Sequence, residues 1–190
     1  LSEALSSEER GALLRLARAS ITDAVLRDGS LDAALAATVR TPTMNDRRAT
    51  FVTIRRGGGG DGSLRGCIGN LEPDAPLYRS VIDNARRSAL RDPRFEPVTA
   101  DELNGLHLEI SVLSPVRPVA GPEEIVVGRD GVELERPPHR AVFLPHVATE
   151  QGWDRETLLE QLALKAGLPR SGWRKARFLT FRAEVFEEEN

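Results

Sequence analysis

The chain has one cysteine, two lysines and few aromatic residues, which fill 5% of its 190 positions. One thiol cannot form an internal disulfide, and a finger-type zinc site needs two or more thiolates, so neither staple is expected. A reducing cytoplasm fits such a chain best. No apolar run approaches the length that spans a bilayer, so no membrane helix is expected. Positive charge is not in excess either: 26 basic side chains face 29 acidic ones, a formal net charge of -3. Nothing global therefore draws the chain toward nucleic acid or anionic lipid. Near the first residues lie acidic side chains rather than a basic segment leading into an apolar one, so no secretory signal is visible.

What is present is an ordinary globular composition, 40% hydrophobic and 29% charged. At this length it supports one substantial core, or one core with a smaller lobe attached. Arginine supplies 24 of the 26 basic residues. That bias is open to bidentate anion recognition, although a GC-rich coding preference is the simpler explanation and the one preferred.

Ser6 and Glu9 have capping-box spacing, and apolar residues then recur at three and four positions from Leu13 to Val25. This predicts an amphipathic helix ending near Gly29. Ser30 to Val39 reads as a shorter helix, broken at Thr41-Pro42. Phe51 to Ile54 and Ser63 to Gly69 read as two strands joined by the glycine run Gly57 to Gly60 with Asp61-Gly62. That run lacks the Lys-Ser/Thr of a phosphate loop, and a strand pattern follows it, so it reads as a hairpin tip. A helix is expected over Asp74 to Arg91, and an alternating strand over Leu106 to Leu113. Pro115 and Pro118 mark a change of direction. Ile125 to Val127, Val132 to Leu134 and Ala141 to Leu144 read as strands, Asp154 as the cap of a helix ending at Gly167, and Phe178 to Phe186 as one last strand.

Helices early, hairpins in the middle and strands to the end give an α+β chain with a mainly antiparallel sheet packed by helices. A single domain spanning residues 1–190 is expected, with a larger lobe of 1–115 plus 172–190 and a smaller lobe of 116–171.

The chemistry centres on Cys67 in Leu64-Arg65-Gly66-Cys67-Ile68-Gly69. In a regular strand Arg65 and Cys67 share a face, and a guanidinium beside a thiol favours the thiolate. Cys67 is therefore a candidate nucleophile. A residue of this type more often packs a core or lines a ligand site, and a bulge would undo the shared face. A base would have to come from His107, His139 or His146; His107 lies next but one to Glu109, and His146 lies where a strand gives way to a loop. No ligand spacing supports a metal site, and no cofactor is expected.

Further strings follow in order: Asp92-Pro93-Arg94-Phe95 with Pro97, Glu109 to Leu113, Leu144-Pro145-His146-Val147-Ala148, Trp153-Asp154, Lys165-Ala166-Gly167-Leu168, and Trp173. Together they resemble the AMMECR domain family, whose bacterial and archaeal members are also called AmmeMemoRadiSam system protein A, over about Phe51 to Phe186. The resemblance implies a two-lobed α+β protein, here expected to be bacterial, with motif residues near an interlobe cleft. It also implies an accessory role beside a Memo-like protein and a radical-SAM enzyme, without an established reaction. Carried over by position, Arg65, Gly66, Cys67, Gly69, Asp92, Arg94 and Glu109 become ligand-binding candidates, with His146 added. His146 stands where the family more usually has glutamine, and Ala163 where many members have cysteine, which argues against a shared redox pair.

Three functional readings follow. The chain binds a small molecule or partner peptide in a cleft lined by the cysteine motif; or it is an adaptor without chemistry; or, against its charge balance, it binds nucleic acid through Arg79, Arg86, Arg87 and Arg91.

Overall fold

The capping box at Ser6 forms as expected: the Glu9 amide donates to Ser6 Oγ at 3.2 Å and the Ser6 amide to Glu9 Oε2 at 2.8 Å. It opens α1 (Ser7–Leu26), whose Leu13, Leu16, Ala17 and Ile21 are fully buried. Each such leucine or isoleucine contributes roughly 1.5–3 kcal/mol relative to exposure. This computed structural model describes residues 4–57 and 62–189. Most of the glycine run between the first two strands, residues 58–61, lies outside the described residues.

Two short helices, α2 (Ser30–Ala37) and α3 (Pro42–Asn45), lead into β1 (Thr50–Arg56), β2 (Ser63–Gly69), α4 (Leu77–Leu90) and β3 (Leu106–Leu113). After the two-residue β4 (Arg117–Pro118) come β5 (Gly131–Arg136), β6 (His139–Phe143), α5 (Pro145–Glu150), α6 (Arg155–Lys165), β7 (Arg177–Phe181) and β8 (Ala183–Glu187). The fold is α+β. The strands form two four-stranded sheets, β2-β1-β3-β8 and β4-β7-β5-β6.

The chain divides into two compact units, Leu1–Leu113 with Glu184–Asn190, and Ser114–Ala183. In the first, Val52, Ile54, Leu108 and Ile110 turn one sheet face toward α1 and α4, closing a core with Leu13, Leu16, Val81 and Ala85. In the second, Val132, Leu134 and Phe178 pack against Leu158, Leu159 and Leu162 of α6, which Asp154 caps through the Thr157 amide.

Three expectations need correction. The alternating run from Phe178 to Phe186 is two strands, with Arg182 between them, and they belong to different sheets. Residues 172–183 consequently fall in the second unit, because β7 pairs with β5 and β4. Ile125 to Val127 is not a strand: Ile125 is buried in the core, and the Val126 amide donates to Asp130 Oδ2 in a turn.

Candidate functional site

β2 is an edge strand, and its outward backbone groups need partners. Asp92 and Arg94, in the loop after α4, supply them. The Cys67 amide donates to Asp92 Oδ2 at 2.8 Å, and Arg94 Nη2 donates to the Cys67 carbonyl at 3.3 Å. Arg94 Nη2 also pairs with Asp92 at 2.7 Å, with Nε and the Arg94 amide on the other carboxylate oxygen at 2.9 and 3.1 Å. Four donors on a buried carboxylate, the Arg94 guanidinium foremost, hold Asp92 well below the usual carboxylate range, and the Asp92 carboxylate in turn pushes Arg94 up. The Asp-Pro-Arg-Phe string thus plugs the edge at the level of Cys67, occupying the place of a fifth strand.

α4 approaches β2 from the core side. A Cβ at Gly66 would collide with the Ser88 carbonyl oxygen, so only glycine lets the helix come this close. Ser88 Oγ accepts from the Ile68 amide at 2.7 Å and donates to the Val52 carbonyl at 2.8 Å, bridging β1 and β2. A Cβ at Gly69 would meet the Phe51 ring and the Thr50 carbonyl.

The register sets the side chains. Thr53 of β1 lies opposite Cys67 on one side and Glu109 of β3 on the other, so the three form one row across the sheet face that turns away from the helices. Thr53 Oγ1 donates to Cys67 Sγ at 3.3 Å. Burial pushes the Cys67 thiol up; the Thr53 bond and Arg94 oppose this, while Asp92 and Glu109 reinforce it. The thiol is half-buried and held in its neutral form.

The sequence profile of the AMMECR1 family matches residues 14–186. The chain belongs to the AMMECR1 family. A Thermococcus gammatolerans protein is 40% identical over 185 residues, 93% of this chain and 89% of that one. A Methanothermobacter thermautotrophicus protein is 38% identical, the match covering 97% of each. The crystal structure of the uncharacterized protein PH0010 from Pyrococcus horikoshii superposes with a TM-score of 0.79 at 37% identity, covering 93% of this chain and 90% of that one. These relatives are archaeal, so the expectation of a bacterial member is not borne out.

In this AMMECR1 chain the candidate residues separate. Cys67, Asp92 and Arg94 come together, Glu109 stands beyond Thr53 in the same row, and Gly66 and Gly69 are packing glycines. Arg65 leaves the group. The β1–β2 register skips it, Ile54 facing Gly66 and Arg55 facing Leu64, so Arg65 is the extra residue of a bulge and does not share a regular face with Cys67. Its guanidinium instead holds Glu102 in a bidentate pair at 2.8 and 3.0 Å and lies 6.0 Å from the centre of the Phe95 ring. Arg65, with the Thr99 amide and Arg56, lowers the Glu102 carboxyl to about 2.

No histidine joins Cys67 within the first unit. His107 is on the face of Glu109 but opposite Arg55, with Nε2 3.0 Å from Glu187. Glu109 and His107 share β3, two strand spacings or about 9.5 Å from the backbone of β2, so Glu109 faces Cys67 only across Thr53 and His107 lies a further two residues along β3. His139 and His146 belong to the second unit; His139 Nδ1 is 2.8 Å from the Ala166 carbonyl, and His146 sits in α5 rather than in a loop. Among the described residues, no group of three or more His, Cys, Asp or Glu is placed to hold a metal ion, and no helix is long and apolar enough to cross a membrane.

Thr53, Ser88 and Glu102 are the contributors that sequence reasoning missed. Thr99 and Glu102 have capping-box spacing, and the box forms, but nothing local indicates that Glu102 also receives Arg65 from 37 residues earlier.

Proposed function

We propose that this AMMECR1-family protein is a binding module that works without a thiolate nucleophile. The row of Cys67, Thr53 and Glu109, flanked by the half-exposed Arg94 guanidinium, is the recognition patch for a small molecule or an extended peptide segment. One observation carries this reading: both backbone groups of Cys67 are tied to Asp92 and Arg94, and its thiol accepts from Thr53 in a setting that raises its pKa. A nucleophilic cysteine needs the opposite, a lowered pKa and a base within hydrogen-bond reach. Recognition needs what is present, namely side chains held rigidly by packing and second-layer hydrogen bonds. The patch offers a cation and a soft neutral thiol side by side and a carboxylate two strands away along the same row, which suits a polar ligand that spans the row with a donor at one end and an acceptor at the other.

We further place this role beside a Memo-like protein and a radical-SAM enzyme, as the sequence resemblance implies, with a segment of one of them as the peptide. A crystallographic fragment screen on the full chain tests the patch. Fragments are expected against Cys67 Sγ, the Glu109 carboxylate and Arg94, and to vanish there in Glu109→Gln combined with Arg94→Gln. A screen whose hits all lie away from this row would overturn the reading.

A further inference from the structure

Glu109 is an exception among the acids of the first unit. The other described acids there that are withdrawn from water, Glu9, Asp23, Asp92, Glu102, Glu184 and Glu188, each accept a hydrogen bond from within the unit. Glu109 is half-buried in the same way, yet no hydrogen bond or ion pair engages it among the described residues. A carboxylate so placed has lost part of its hydration and gained nothing in return, which is unfavourable unless something else supplies the donor. Its oxygens are not sealed off, because they are not among the closed-in, unpaired polar atoms of the chain.

Three neighbours on its face of the sheet are engaged elsewhere. Thr53, directly opposite on β1, gives its hydroxyl proton to Cys67 Sγ at 3.3 Å. His107, two residues earlier on β3, lies 3.0 Å from Glu187 of β8. Arg55 is opposite His107 and therefore diagonal to Glu109, about 7–8 Å away by backbone; its Nη1 turns to the Gly62 carbonyl at 3.3 Å. Arg94, on the far side of Cys67, is committed to Asp92. The carboxylate nevertheless looks onto the row, since its charge is felt at the thiol and adds to the upward push there.

We infer that the ligand of this row carries an organic cation on an aliphatic stem, as a lysine side chain does, with the cation seated on the Glu109 carboxylate and the stem crossing Thr53 toward Cys67. The inference rests on the reading of the row as a recognition patch and names what its far end takes. An anionic group there would meet an uncompensated carboxylate, whereas a cation pairs with it through charge-assisted hydrogen bonds. The span of two strand spacings, about 9.5 Å, suits a long flexible stem, which lies along weakly polar surface while its charged head reaches a polar end. Thr53 favours the stem as well, because its hydroxyl is already spent on the thiol.

The test is NMR on the isotopically labelled full chain, following the Glu109 side-chain carboxyl carbon and the Thr53 and Cys67 amides. Three probes are titrated: N-acetyl-lysine N-methylamide, the norleucine derivative that lacks the ammonium, and the 6-hydroxynorleucine derivative, a neutral donor. A saturable shift of all three signals is expected with the lysine probe, half-complete below about 20 mM. Both neutral probes should bind at least about tenfold more weakly, as loss of a hydrogen bond to a charged group implies. Glu109→Gln loses no contact of the folded chain, so its urea midpoint should hold, and it should bind the three probes alike. Neutral probes that shift the row as strongly as the lysine probe overturn the cation and leave the recognition patch standing, as does lysine binding undiminished in Glu109→Gln. No shift at the row with any probe also overturns the inference, and the fragment screen then decides the patch by itself.

Discussion

Asp92 is the residue on which the motif geometry depends. It satisfies the outward amide of Cys67 and orients Arg94, so Asp92→Ala leaves a buried N–H without its partner and releases the arginine. A loss of about 1–3 kcal/mol is expected in urea unfolding, with Asp92→Asn losing less because an amide oxygen still accepts. Glu102 and Asp92 also give stability a pH dependence. Both carboxyls are lowered in the folded chain, Glu102 to about 2 from 4.5, so the unfolded chain takes up protons that the folded one refuses. Their contribution is complete above the ordinary carboxylate value and is lost as pH falls through about 4.5 toward 2. Urea midpoints measured from pH 5 down to 2 should therefore decline steadily, and the decline should flatten in Glu102→Gln.

At the scale of elements, the contact between α4 and β2 holds the cysteine motif in place. Gly66→Ala forces the helix off the strand and should cost about 3 kcal/mol or disrupt folding, in keeping with overpacking at a rigid backbone contact. Gly105→Ala is the control: no heavy atom lies within 4 Å of its added methyl, and its urea midpoint should barely move. Elements were also what the sequence revealed best. Capping residues and apolar spacing located α1 and α6, and β2 runs over the seven residues expected of it. The bulge at Arg65 was harder to see, because a period of two in the side chains says nothing about a partner strand that skips a residue. Arg182 hid for a similar reason: alternation continues through it while the chain changes sheets.

On the scale of the whole molecule, continuity along the chain distinguishes the two units. Ser114–Ala183 is unbroken and has its own core, whereas the first unit recruits β8 from beyond it. A peptide of residues 114–183 should thus unfold cooperatively on its own by circular dichroism, while a chain ended at Phe181 should lose the first unit's stability before the second's. The composition indicated one core with a smaller lobe, but the return point is fixed by the partners of β7, which composition does not encode. The functional site was half legible: the cysteine and Asp-Pro-Arg-Phe strings were visible as strings, and only the fold shows that one caps the edge of the other. Because Cys67 is the sole thiol of the chain, the account's central claim can be tested on the intact folded protein by following alkylation against pH through its mass. Slow labelling with an apparent thiol pKa above the unperturbed value of about 8.5 is the expected result; rapid labelling near neutral pH, with an apparent pKa below that value, would show an activated thiolate and contradict it.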